Sequence, residues 1–106
     1  MTRILITGGA GMVGRALADA LPREDILATD LARAGLRDDV RFRRMDVTGP
    51  DPDTVIGDEK PDVVVHLASI VTPPSGMTRG RAFAVDVTGT RNVLVACIAH
   101  RVKRLV

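Results

Sequence analysis

The sequence predicts an α/β fold, a doubly wound parallel sheet, on three observations. Short aliphatic runs alternate with longer segments of helical spacing along the chain, the pattern of a parallel sheet with a helix in each crossover. The first run, Ile4-Leu5-Ile6, leads at once into glycines at 8, 9, 11 and 14 and then into the helix-forming RALADAL at 15–21. The run Val63-Val64-Val65 has no polar face, so it reads as a strand covered on both sides and set at the sheet centre.

Taken in order, the opening strand and glycine turn lead to a helix over 12–21 that Pro22 stops. Residues 22–25 turn the chain, and 26–30 form a second strand ending on the Asp30 carboxylate, which completes a βαβ unit. Residues 31–39 are polar, a loop or helical turn. Positions 40–45 alternate apolar with basic residues, a strand with one solvated face whose arginines guard a sheet edge. A proline near the first turn, with Asp51 and Asp53 beside it, starts a short helix over 51–59. After the valines, 68–76 is a small-residue loop stiffened by Pro73 and Pro74. Residues 77–100 form the longest helix, with Ala82, Phe83, Val85, Val93, Leu94, Cys97 and Ile98 on a wide apolar face. Gly89 weakens it by up to about 1 kcal/mol unless close packing compensates. Residues 101–106 open a fifth strand. Right-handed crossovers with one reversal after the third strand give a Rossmann-type order, 3-2-1-4-5. The ligand crevice then lies where strands 1 and 4 diverge, with the glycine turn and residues 68–74 on the same carboxyl edge.

Bulk properties narrow the function classes. With 106 residues, 45% hydrophobic and 26% charged, the chain is one domain or part of one, large enough to bury a core. The net charge of +2 is spread along the chain and the only aromatics are two Phe, which offers no nucleic-acid surface. A single cysteine, Cys97, excludes an internal disulfide and agrees with a reducing, cytoplasmic setting. No uninterrupted apolar run approaches the ~20 residues that cross a bilayer, so no membrane association is expected. A nucleoside-triphosphate loop would need Gly-Lys-Ser/Thr after the glycines, and a hydrolase elbow would need Gly-x-Ser-x-Gly; neither is present. One Cys and two distant His do not build a metal site.

What remains is anion and nucleotide chemistry. Gly8 takes backbone angles that a side chain forbids, and Gly11 lets an anion lie against bare backbone. Gly14 lets the helix sit close on its strand, and the helix start at Met12 and Val13 offers unpaired N–H groups to a pyrophosphate. Asp30, 22 residues after Gly8 at the end of the second strand, suits the two hydroxyls of an adenosine ribose and repels a 2′-phosphate, favouring NAD over NADP. Arg33 argues the other way, since a guanidinium there could pair with that phosphate. Asp46-Val47 sets an acceptor beside an apolar side chain at the end of the third strand, a pair that could hold an adenine amino group and ring but that by itself reads first as turn chemistry. His66 reads as a satisfied structural imidazole, His100 as a partner for a helix dipole, and Cys97 as a buried inert thiol.

Together these pieces resemble the extended short-chain dehydrogenase/reductase family of NAD-dependent sugar epimerases and dehydratases. Residues 7–14, TGGAGMVG, are similar to its TGxxGxxG loop; His66-Leu67-Ala68-Ser69 is similar to its HLAA stretch; and VDVTGTRNVL at 85–94 is similar to its NVxGTxNLL helix, with Asp86 where the pattern has Asn. The resemblance implies a cofactor set of Gly8, Gly11, Met12, Val13, Gly14, Asp30, Leu31, Asp46, Val47, Leu67, Ala68 and Ser69, with NAD as cofactor. It implies hydride transfer on a small-molecule substrate, sugar-like or a hydroxy acid, with Ser69, Thr72 and Ser75 as substrate-side hydroxyls. It also implies a homodimer through the helix at 77–100. The family's catalytic Tyr-x-x-x-Lys pair has no counterpart, because the chain contains no Tyr; the chain is therefore expected to be the N-terminal cofactor-binding part of a longer enzyme, without catalytic residues of its own. A non-catalytic dinucleotide-binding regulator of the same fold is the alternative.

Overall fold

The computed structural model describes residues 2–70 and 72–106. Five strands form one parallel sheet in the order β3-β2-β1-β4-β5, as the alternation predicts. The strands are β1 (Arg3–Thr7), β2 (Asp25–Asp30), β3 (Arg41–Arg44), β4 (Val63–His66) and β5 (Arg104–Leu105). The helices are α1 (Met12–Ala20), α2 (Asp51–Glu59), α3 (Arg79–Phe83) and α4 (Gly89–Ala99). A π-helical stretch, Ala84–Thr88, joins α3 to α4.

Alternation along the strands divides the core into two layers, because successive side chains point to opposite faces. Ile4, Ile6, Ile26 and Ala28 meet Ala18 of α1 together with Leu36 and Val40. Leu5, Leu27 and Val64 meet Val55 and Ile56 of α2 and Val93, Ala96 and Cys97 of α4. The centre of the sheet is β1, where Leu5 and Ile6 are both fully buried, and not β4. Val63 and Val65 remain half-buried on the α1 side, since the three valines lie one strand off centre.

The arginines of β3 do more than solvate an edge. Arg41 bridges Asp25 of β2 and Glu59 of α2, and Arg43 bridges Asp58 and Glu59. The basic face is thus folded down over the end of α2, while Phe42 packs into the opposite layer. Likewise, His100 does not merely face its own helix end: its Nε2 lies 2.8 Å from Asp53 Oδ1, tying α4 to α2. Gly57 makes room for that ring, since a Cβ there would stand 2.8 Å from His100 Cε1.

The segment predicted as one helix over 77–100 is helical from Arg79 to Ala99, with the π stretch inside it. It is 21 residues long, and a window of 18 within it has a mean hydropathy of 1.4, the length and apolarity of a bilayer span, so the argument from uninterrupted runs does not reach it. Asp86 and Arg91 interrupt it, however, and Val93, Ala96 and Cys97 belong to the core. Gly89 is compensated by close packing, because a Cβ there would lie 2.5 Å from Val47 Cγ2.

Candidate functional site

The turn between β1 and α1 is built for close approach. Gly8 has φ +63°, and a Cβ on it would stand 2.8 Å from the Ala68 amide nitrogen, so only glycine fits between the two loops. Gly14 packs beneath the turn itself: its Cβ would lie 2.6 Å from Gly9 Cα and 2.7 Å from Gly8 O. Contact with the neighbouring strand falls instead to Gly9, whose Cβ would meet Ala28 Cβ at 2.8 Å. Gly11 is the open position, with only Gly8 O near, at 3.2 Å. No acidic residue occupies the first turn of α1 and no side chain caps it. Among the described residues the N–H groups of Met12, Val13 and Gly14 find no acceptor. Those groups and the helix dipole make this corner receptive to an anion.

Asp30 ends β2 beside the turn. Its Oδ2 accepts the Ala10 N–H at 3.1 Å and its Oδ1 accepts the Leu31 N–H at 2.8 Å. The carboxylate thus holds the glycine turn in place and keeps lone pairs free for further donors. Arg33 is already engaged, donating to the carbonyls of Arg37 and Val40 at 2.6 and 2.9 Å.

A cleft of about 200 Å³ opens between the carboxyl ends of the strands, at the switch point where ligands enter such sheets. It is lined by nine of the twelve residues singled out from sequence: Gly8, Gly11, Asp30, Leu31, Asp46, Val47, Leu67, Ala68 and Ser69. Met12, Val13 and Gly14 stand outside the lining, the first two exposed at the helix start and the third buried under the turn.

The Asp46 carboxylate accepts from the Thr48 hydroxyl at 2.7 Å and the Thr48 N–H at 2.9 Å. These bonds, reinforced by Arg81 and Arg44, hold it below the usual carboxylate range. Asn92 of α4 donates to the carbonyls of Val47 and Gly49 and fixes this loop from below. On the far side, Asp86 of the π stretch accepts from the Ser69 hydroxyl at 3.0 Å and the Ile70 N–H at 2.8 Å. Both are acceptor roles, which a carboxylate fills as well as the oxygen of an amide would. Val71 lies outside the described residues.

Thr29, Met45, Ile70, Arg81 and Val85 also line the cleft, and sequence reasoning missed them. Arg81 reaches from α3 to donate to Thr48 Oγ1 at 3.1 Å and stands 3.8 Å from Asp46 Oδ2. No spacing rule flags it, because Arg81 and Thr48 stand 33 positions apart and meet only in the folded chain.

A parallel sheet of this order, with a glycine turn at its switch point, defines a Rossmann-type domain. The chain belongs to the NAD dependent epimerase/dehydratase family, whose sequence profile matches residues 4–106. It is 35% identical to L-arabinose 1-dehydrogenase (NAD(P)(+)) of Haloferax volcanii, covering 100% of this chain and 40% of that protein. It is 30% identical to dTDP-4-dehydrorhamnose reductase of Aggregatibacter actinomycetemcomitans, covering 94% of this chain and 32% of the relative. Among solved structures, Bordetella bronchiseptica WbmG in complex with NAD and UDP superposes with a TM-score of 0.83 at 31% identity, over 98% of this chain and 36% of that one. The UDP-glucose 4-epimerase of Thermus thermophilus in complex with NAD gives 0.84 at 26%, over 97% and 36%. The chain therefore spans about a third to two fifths of the length of these relatives, and a nicotinamide dinucleotide is named for the family, for the arabinose dehydrogenase and in both solved complexes.

Proposed function

We propose that this chain is the dinucleotide-binding portion of an NAD-dependent epimerase, dehydratase or dehydrogenase that acts on a sugar-like or hydroxy-acid substrate. The observation that carries the reading is the convergence of the glycine turn, Asp30 and Asp46-Val47 on one cleft at the sheet's switch point. The open face of Gly11 and the unpaired N–H groups of Met12 and Val13 hold the pyrophosphate. Asp30, flanked by Leu31, takes the ribose hydroxyls, while Asp46 and Val47 take the adenine amino group and ring. Leu67, Ala68 and Ser69 border the nicotinamide half. The bound nicotinamide supplies hydride transfer, and this chain's residues orient it. The sugar-processing names among the relatives support the sugar-like substrate.

NAD is the preferred form. A 2′-phosphate against the Asp30 carboxylate is repelled, and Arg33 is tied to backbone carbonyls and does not offer the charge that would offset it. Calorimetric titration is expected to show NAD binding at least about tenfold tighter than NADP, a difference of about 1.4 kcal/mol. Equal or tighter NADP binding would remove Asp30 from this role.

The reading extends to a homodimer through the long helix. Phe83, Val87 and Val95 are exposed along one of its sides, with exposures of 60, 50 and 54%, in an i, i+4 row whose one charged member is the exposed Arg91. Sedimentation of the whole protein is expected to give a dimer that a Val87→Glu change dissociates; an unchanged dimer would place the interface elsewhere.

A further inference from the structure

His66 sits at the end of β4, outside the cleft lining, in a chain of hydrogen bonds whose proton count allows one arrangement. Thr90 donates its hydroxyl proton to the Asp86 carbonyl at 2.6 Å, so toward the ring its oxygen can only accept, and His66 Nε2, 2.9 Å away, is the protonated nitrogen. Nδ1 is then an acceptor, and the hydroxyl of Thr7, 2.7 Å away, donates to it. That leaves the two lone pairs of Thr7 Oγ1, and both are used: it accepts the N–H of Leu67 at 3.0 Å and of Ala68 at 3.1 Å. Leu67 has a second acceptor in the Thr7 carbonyl, at 3.2 Å, whereas among the described residues the hydroxyl is the only partner of the Ala68 N–H.

We propose that the neutral His66 ring is a positioning residue for the dinucleotide cleft: it aims the Thr7 hydroxyl so that Ala68 is held against Gly8, and protonation of the ring releases Ala68 and weakens dinucleotide binding. This rests on the dinucleotide reading of the cleft. A proton on Nδ1 must point at Thr7 Oγ1, which would then face three donors with two lone pairs. Thr7 is fully buried, so its displaced hydroxyl proton finds no water, and the Ala68 amide is the donor without a second acceptor. Ala68 packs within 3.0 Å of where a Gly8 side chain would begin, so its displacement reaches the glycine turn directly.

The surroundings favour the neutral ring. Burial pushes the His66 imidazole below its ordinary value. Around the ring, β1 presents Thr7, α4 presents Thr90, the π stretch presents the Asp86 carbonyl, and Val106, the residue after β5, presents its carbonyl, which accepts the His66 backbone N–H. Asp86 is the one ionisable side chain in that set, and its carboxylate is turned to Ser69 and Ile70. Because the folded ring resists a proton that the unfolded chain accepts, stability is full above the unfolded value, whereas cleft order persists until pH falls through the folded one. Stability alone declines as pH falls from the unfolded value toward the folded one.

The test uses the whole protein, by nitrogen NMR of His66 and amide exchange of Ala68 across pH, followed by NAD titration at several pH values. Expected are an Nε2-protonated ring at neutral pH, Ala68 protection lost in step with ring protonation, and NAD affinity falling by up to about tenfold per pH unit below that point, the limit for one linked proton. His66→Asn keeps an acceptor for Thr7 but does not titrate, so it should bind NAD more tightly than His66→Ala and lose the pH step attributable to the ring. An Nδ1-protonated ring, Ala68 protection indifferent to ring protonation, or the same pH step in His66→Asn each overturns the proposal. Coupling of Ala68 to the ring without any NAD binding would overturn the link to the cofactor and the reading of the cleft, while leaving the hydrogen-bond device itself in place.

Discussion

Gly11→Val should abolish measurable dinucleotide binding while leaving the fold intact. The backbone at Gly11 has φ −75° and ψ 176°, extended angles open to any residue. Among the described residues a Cβ there meets nothing but Gly8 O at 3.2 Å, and none of them caps the helix with a side chain that could be lost. The branched side chain instead stands over the N–H groups of Met12 and Val13. Hydrogen bonds from such groups to a charged acceptor contribute about 1.5–3 kcal/mol each, so blocking two of them predicts a loss in affinity of about 100-fold or more. Calorimetry with NAD, beside a circular dichroism melt, separates the two effects. Binding that survives with an intact fold would mean that the pyrophosphate lies elsewhere.

Gly14→Ala should do the opposite and damage the domain before it damages recognition. Its Cβ would fall 2.6, 2.7 and 2.8 Å from Gly9 Cα, Gly8 O and Gly9 O. All three are backbone atoms, so no rotamer change relieves the clash. Overpacking of this kind costs about 1–3 kcal/mol, and for a domain of this size each kcal/mol lowers the melting temperature by about 4–8 °C. A melt within about 2 °C of the parent would show that the turn yields more easily than its geometry implies.

The contrast between these two glycines was only partly legible in the sequence. Spacing located the turn and set both residues in it, because a strand, a tight turn and a helix start impose local rules. Which glycine faces solvent and which is walled in depends on how α1 leans on the turn, and that is a tertiary fact. The same division runs through the rest of the chain. Strand order followed from alternation and handedness, yet the apolarity of Val63, Val64 and Val65 pointed to the wrong centre, since a strand beside β1 is as apolar as β1 itself. Asp30, Asp46 and Ala68 were readable because each ends a strand or follows one. Arg81, Asn92 and the Asp53–His100 pair were not, because each joins segments more than 30 residues apart. The π stretch gave no signal either: Ala84–Thr88 has ordinary helical composition, and its register shift shows only in the backbone bonding.

Cys97 gives the domain a built-in reporter. Its thiol is buried in the layer between β1, α2 and α4, and burial raises its pKa, so the reactive thiolate is suppressed while the fold is closed. As the chain's single cysteine, it would be labelled by a thiol reagent only when α4 lifts from the sheet. The labelling rate therefore reads the frequency of that opening without any engineered probe, and a bound dinucleotide that steadies the cleft should slow it.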